Sequence, residues 1–284
     1  MKGIKVSEVT KSFGKKPVLE NISTFFKPCT IYGLLGRNGV GKSTLIHLIS
    51  GRIFADKGEI TLDGNKILES APEMERIFAV GQFETYQGGM KLIEIINDTA
   101  RFYPGFDEKY SVELAEKFGI DLKARYGKLS TGYKTIFKDI LALCVPCEYI
   151  FFDEPVLGLD ASNRNLFYCE LVDSYTKRPR TFVISTHLIE EIQNLIENVV
   201  IIADHRIILE GAWTGLLGAI LPILIVDGLY VWMYGVITAS LSGTSYSLLT
   251  PGTFLWEIDI LLAAIGIIIG ALGSGLSMSR FLKI

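Results

Sequence analysis

The stretch Gly36-Arg37-Asn38-Gly39-Val40-Gly41-Lys42-Ser43, followed by Thr44, matches the spacing G-x-x-x-x-G-K-[ST]. Each residue type there has a chemical reason. Glycine lets successive backbone N–H groups turn inward and cradle anionic oxygens. The lysine cation suits the β- and γ-phosphates of a nucleotide, and the serine hydroxyl suits Mg²⁺. A helix starting near Lys42 would aim its positive dipole end at the same anion.

A second stretch offers the complementary chemistry. Tyr149-Ile150-Phe151-Phe152 is wholly apolar and ends in Asp153-Glu154. An Asp at a strand end can hold Mg²⁺, and a neighbouring carboxylate can orient or deprotonate an attacking water. The expectation is Asp153 on the metal and Glu154 on the water. Taken together, the two stretches predict a phosphate-binding, Mg²⁺-dependent hydrolase.

Such a site needs strands and helices that bring both stretches to one edge. Ile4–Val9, Glu59–Leu62, Thr181–Ser185 and Val199–Ala203 read as strands. Thr30–Leu35 reads as strand, glycine turn follows, and Lys42–Ser50 reads as helix. Lys91–Phe102, Ser111–Phe118, Asn163–Thr176 and His187–Ile196 carry helical spacing. Strands alternating with helices imply an α/β fold with a mostly parallel sheet. The segment from about 85 to 145 reads as a helical insert with its own lobe.

These stretches, their order and the sequence between them resemble the nucleotide-binding domain of ABC transporters over about Ile4 to Gly211. Further elements fall in register. Phe13 stands where that family stacks an aromatic on adenine, and Gln82 where its glutamine loop meets Mg²⁺ and the transmembrane partner. Leu129-Ser130-Thr131-Gly132-Tyr133 stands at the signature loop, Gly158-Leu159-Asp160 at the loop that follows, and His187 at the γ-phosphate switch. The family's usual signature is LSGGQ, so Thr131 and Tyr133 depart from it. Ser130 and Gly132 remain as the expected γ-phosphate contacts. The resemblance implies a P-loop NTPase of the ABC ATPase type with a helical subdomain, using ATP and Mg²⁺. It further implies a head-to-tail dimer with a second ATPase subunit, and a transmembrane permease as partner. General similarity points to bacterial exporters of drugs or peptide antibiotics.

Composition divides the chain. Its 284 residues have 28 Lys+Arg, 31 Asp+Glu and a net charge of −3. That leaves no global basic field to argue for nucleic acid. Mean hydropathy is +0.35, and much of it lies at the end. From Ala212 to Ile284 the ionisable acids and bases are Asp227, Glu257, Asp259, Arg280 and Lys283. Residues 1–211 are therefore expected to form the ATP-binding domain, and 212–284 a hydrophobic tail. Gly215–Val236 and Ile260–Met278 are each long enough, at about 1.5 Å per residue, to cross a hydrocarbon core of about 30 Å. Arg280 and Lys283 after the second span put both ends on the cytoplasmic side, at the inner face of the bacterial membrane. Gly266, Gly270 and Ser274 make a small-residue face for helix packing. Asp227 is costly in lipid and reads as partner-facing or interfacial.

The tail, from Glu210-Gly211-Ala212 to Gly218 and from Gly270 to Lys283, resembles the end of FtsX-type cell-division permeases. That opens a second reading, ATP-driven mechanotransmission in cell division without substrate transport. The pairing of an exporter-like ATPase with such a tail leaves a natural membrane-tethered ATPase and a joined or truncated gene both open. Cys144 and Cys147 form a CxxC in an apolar run, with no second pair at zinc spacing, and read as core cysteines.

Overall fold

A computed structural model describes residues 2–83, 86–187 and 189–212. The two expected membrane spans, with Asp227 and the small-residue face, lie outside the described residues. Among the described residues no helix is long and apolar enough to cross a membrane. Residues up to Glu210 group as one compact unit.

The strands are β1 (Ile4–Phe13), β2 (Lys16–Phe26), β3 (Ile31–Leu35), β4 (Lys57–Leu62), β5 (Asn65–Lys66), β6 (Ile77–Val80), β7 (Tyr149–Asp153), β8 (Thr181–Thr186), β9 (Asn198–Ala203) and β10 (Arg206–Ala212). The helices are α1 (Lys42–Ile49), α2 (Ala71–Glu75), α3 (Leu92–Phe102), α4 (Glu108–Lys117), α5 (Thr131–Cys144), α6 (Ala161–Lys177) and α7 (Ile189–Ile192).

Two sheets form. The larger runs β10-β9-β3-β8-β7-β6, and the smaller runs β2-β1-β4-β5. In the larger sheet β3 pairs in parallel with β8 and β9, and β7 with β6 and β8. Every residue of β3, β7 and β8 is buried. That is the continuous apolar character of parallel strands covered on both faces.

The smaller sheet corrects the expectation of one mostly parallel sheet. Its β1–β2 and β1–β4 pairs are antiparallel. The inner residues Val6, Val9, Leu19, Ile22, Phe26 and Leu62 join Leu45, Ile46 and Ile49 of α1 in the main core, along with Phe151 of β7. Phe26 meets Tyr32 and Phe151 edge-on, at centroid distances of 5.1 and 5.7 Å. The antiparallel sheet therefore packs across α1, the helix that follows the phosphate loop.

Helix starts follow the local sequence. Ser130 caps α5 by accepting from the Tyr133 N–H, and Asp160 caps α6 by accepting from Asn163 at 2.8 Å. From Ile136 to Cys144 every residue of α5 is buried, so this helix runs from the surface into the core. Cys144 and Cys147 are free and buried. Burial raises both thiols, Cys147 to about 12. Such thiols are inert packing groups.

One helix is shorter than its spacing predicts. The spacing predicts a helix over His187–Ile196, but the helix stops at Ile192 and the chain turns. Ile192 and Ile196 are buried. They sit close over Gly33 of β3, where an added Cβ would come within 3.0 Å of Ile196. The chain must then enter β9, and Glu197 N–H already donates to Ile31 O.

Candidate nucleotide site

The register of the larger sheet brings the expected residues to one edge. Leu35 lies beside Thr186, and Asp153 beside Ser185. Val80 lies beside Phe152. The loops after β3, β7, β8 and β6 therefore leave the sheet together at its carboxyl end, where open α/β sheets bind ligands. They carry respectively Gly36–Ser43, Glu154, His187 and Gln82.

A cavity of about 420 Å³ opens there, lined by Val18, Asn38, Gly39, Gly41, Lys42, Ser43, Thr44, Gln82, Glu154, Leu157 and His187. The phosphate loop is shaped by glycines that no other residue replaces cheaply. Gly41 has φ +116°, and a Cβ there would lie 2.5 Å from Leu19 Cδ2 and 2.9 Å from Val18 O. Gly41 precedes α1 without a side-chain cap. The first amides of the helix are left to face an anion.

Lys42 is buried. Its ammonium donates to Gly36 O at 2.7 Å and to Arg37 O at 3.3 Å, and stands 3.5 Å from Glu154 Oε1. His187 Nδ1 is 3.1 Å from both Glu154 oxygens. Glu154 is thus bridged between a cation and an imidazole. It also has φ +54°, a left-handed conformation that is costly for a residue with a Cβ. Its N–H donates to Ser185 O, which helps hold it there.

Asp153 is buried beside it and accepts from Ser185 Oγ at 2.9 Å. Ser185 was not among the expected site residues. The sequence offers only a hydroxyl one residue short of the strand end; its register with the acid comes from the β7–β8 pairing. Gly81 lets β6 end against Asp153, since a Cβ there would lie 2.9 Å from Asp153 Cβ.

The oxygen donors of Ser43, Asp153 and Gln82 suit a hard, small cation that keeps several waters and the substrate's phosphates as ligands. Asp153 is anchored through one oxygen by Ser185. The set fits Mg²⁺. No cluster of three or more His, Cys, Asp or Glu occurs among the described residues.

Five expected residues stand outside the cavity lining: Gly36 at the start of the phosphate loop, Asp153 buried beside Glu154, and Phe13, Ser130 and Gly132 on other elements. Phe13 is exposed at the end of β1, with Lys11 Nζ 5.6 Å from its ring. Ser130 and Gly132 begin α5, and a Cβ on Gly132 would lie 2.7 Å from Gly158 O. Signature loop and the Gly158-Leu159-Asp160 turn are therefore packed backbone to backbone.

The family model described as ABC transporter matches residues 19–157. The Nod factor export ATP-binding protein I of Rhizobium etli is 30% identical over 217 residues, 74% of this chain and 68% of that one. The chain belongs to the ATP-binding family of ABC transporters. It is an ATP-binding ATPase of that family. The ABC transporter ATP-binding protein YtrB of Bacillus subtilis is 29% identical over 204 residues, 72% of this chain and 70% of that one. The linearmycin resistance ATP-binding protein LnrL of the same species is 30% identical, over 75% of this chain and 70% of that one. Among solved structures, an ATP-binding subunit of an ABC transporter superposes with a TM-score of 0.67 at 21% identity, covering 74% of this chain and 90% of that one. The cbiO1 protein of Clostridium perfringens gives 0.62 at 24%, covering 83% and 98%. At those identities the likeness is one of fold.

Proposed function

We propose that this ABC ATPase hydrolyses ATP with Glu154 as general base, and that two copies, or one copy and a related subunit, close around ATP to drive an export permease. The observation that carries the reading is the convergence of Lys42, Glu154 and His187 at the mouth of the phosphate loop.

ATP would lay its phosphates on the amides of Gly36–Ser43 and the first turn of α1, with Asn38 and Thr44 lining the same wall and Phe13 against the base. Lys42 would turn from the Gly36 and Arg37 carbonyls toward the β- and γ-phosphates. Glu154 would take a proton from water as the water oxygen bonds to γ-phosphorus and the bond to the bridging oxygen of ADP breaks. His187 would hold Glu154 in place and face the departing phosphate. Mg²⁺, held by Ser43, Asp153 and Gln82, would neutralise phosphate charge.

Ser130 and Gly132 begin a helix away from this cavity, which supports their serving the ATP of a second subunit. An apolar groove of about 710 Å³, lined in part by Met74, Phe78, Tyr86, Ile95, Phe102 and Tyr103, adjoins the glutamine loop. Phe102 is 81% exposed there. We assign this groove to the permease. A relative named for Nod factor export supports an exporter over division signalling. Residues 1–211 would form the ATPase domain, and 212–284 would hold it at the inner face of the membrane. Recovery of the chain in a salt-washed membrane fraction is the expected result; a wholly soluble pool would refute the tether.

The test of the site is Mg²⁺-dependent ATP hydrolysis by the parent and by Glu154→Gln, with mass followed in ATP. The parent should turn over, and the variant should lose hydrolysis yet dimerise on ATP. A variant that hydrolyses ATP like the parent removes Glu154 from its role.

A further inference from the structure

Lys138 lies in α5, about two turns beyond Ser130, and is only 6% exposed. A buried ammonium is costly unless it is paired or hydrogen-bonded. If this position served packing alone, an apolar side chain would cost less. The acceptors Lys138 has found are specific. Its Nζ donates to Gly81 O, a short hydrogen bond, and to Phe83 O at 3.4 Å. These are the carbonyls of the residues on either side of Gln82.

The same loop is held by a second set of contacts. Arg52, just past the end of α1, places its guanidinium 3.7 Å from the centre of the Phe83 ring and donates to Ala79 O at 3.2 Å. His47 of α1 meets that ring edge-on at 5.5 Å. Lys138 Nζ itself stands 5.8 Å from it. Two cations on one ring make a cation–π clamp. One comes from the helix behind the phosphate loop and the other from the helix that starts at the signature. Gln82 then points into the nucleotide cavity, while Arg52 and Lys138 also line the apolar groove. Gly81, stapled by Lys138, abuts Asp153.

We propose that Lys138 is a positioning residue for Gln82: its ammonium, bridging the Gly81 and Phe83 carbonyls, fixes where the Gln82 side chain stands in the ATP site. The inference rests on the assignment of Gln82 to that site. It makes the signature helix a direct determinant of the metal-side geometry within the same chain. The Phe83 clamp holds the loop against which Lys138 acts.

The experiment uses the full chain and the variants Lys138→Met, Gln82→Ala and their combination. Methionine keeps the length of the stem and removes the cation. Turnover, nucleotide affinity from a fluorescent ATP analogue, and the Mg²⁺ concentration for half-maximal hydrolysis are measured for each. Lys138→Met should lower kcat by roughly 10- to 100-fold and raise the half-saturating Mg²⁺ about tenfold, the range seen when a supporting partner of a metal ligand is lost. Nucleotide affinity should change far less. In the Gln82→Ala background the same substitution should add little, because both act through one group. Parent-like kcat and Mg²⁺ requirement in Lys138→Met, beside a clear defect in Gln82→Ala, overturn the inference and leave the role of Gln82 standing. Losses that multiply in the double variant overturn it too. An inert Gln82→Ala removes the assignment of Gln82 and the inference together. If Lys138→Met does not fold, Lys138→Arg replaces it. Arginine keeps the charge but cannot seat a compact ammonium between two carbonyls. A smaller Mg²⁺ shift, again absent in the Gln82→Ala background, is then expected, and no shift overturns the inference.

Discussion

Replacing Ser185 with alanine removes one oxygen from a fully buried position and leaves the backbone ladder intact. Ser185 pairs with Asp153 across β7 and β8, and its carbonyl accepts from Glu154. Neither contact needs the hydroxyl. What is lost is the 2.9 Å hydrogen bond to Asp153 Oδ1. Hydrogen bonds to charged groups contribute about 1.5–3 kcal/mol. Asp153 is itself buried, so water cannot readily replace the donor. For a domain of this size each kcal/mol shifts Tm by about 2–4 °C. The expected loss is therefore roughly 3–12 °C, measured by thermal and urea unfolding without nucleotide. A freed Asp153 should also hold Mg²⁺ less well, by roughly 10- to 100-fold. That is read from the Mg²⁺ dependence of hydrolysis at saturating ATP. If Ser185→Ala matches the parent in both unfolding and Mg²⁺ dependence, the hydroxyl does not orient Asp153 and the reasoning fails.

Other outcomes follow from single features. Gly41→Ala should cost about 1–3 kcal/mol from backbone strain alone, with further loss from the clash against Leu19 and Val18; ATP-analogue titration should show affinity down at least about tenfold, and a parent-like affinity would contradict the loop geometry. Asp139 is fully buried in α5, with Oδ2 lacking a hydrogen-bond partner among the described groups, and desolvation raises its carboxyl well above the usual range. A raised folded-state value means the native state binds the extra proton, so this contribution is complete below the unfolded value and declines as pH rises toward the folded one. Asp139→Asn should therefore gain stability over the parent as pH increases from about 4, seen as diverging urea midpoints; parallel curves would disprove it. Removing Mg²⁺ with a chelator should abolish hydrolysis while leaving the apo fold intact, as judged by circular dichroism.

The chemistry was more legible than the architecture. Gly36–Ser43 announces itself because phosphate binding constrains both residue type and spacing, and Asp153-Glu154, a weak signal alone, gains its meaning from being paired with that loop. Which strand separates them is another matter. That β8 lies between β3 and β7, so that Ser185 reaches Asp153, depends on pairings far apart in the chain. The strand β2 escaped notice because its alternation breaks. Asn21 takes φ +52°, Glu8 of β1 takes φ +49°, and the β1–β2 register shifts between Val6 and Lys11. A bulge moves the buried set to the next residue, which erases the period of two. β6 is four residues long and follows a short helix, too brief for any period to show. Lys138 was invisible for a different reason. In sequence it is one charge on a helix, and its meaning lies in the two carbonyls above it.

The alignment of Leu35 with Thr186 and of Asp153 with Ser185 has a consequence for how this domain can change over time. Each central strand works as a measuring rod, cut to deliver its loop at one common height. Substitution within a strand alters packing. Insertion of a single residue within β8 would turn Ser185 to the opposite face and push His187 along by about 3.3 Å. Length is therefore the conserved quantity these strands demand, more than composition, and lineages of this domain should accumulate insertions in the surface turns while β3, β7 and β8 keep their residue count.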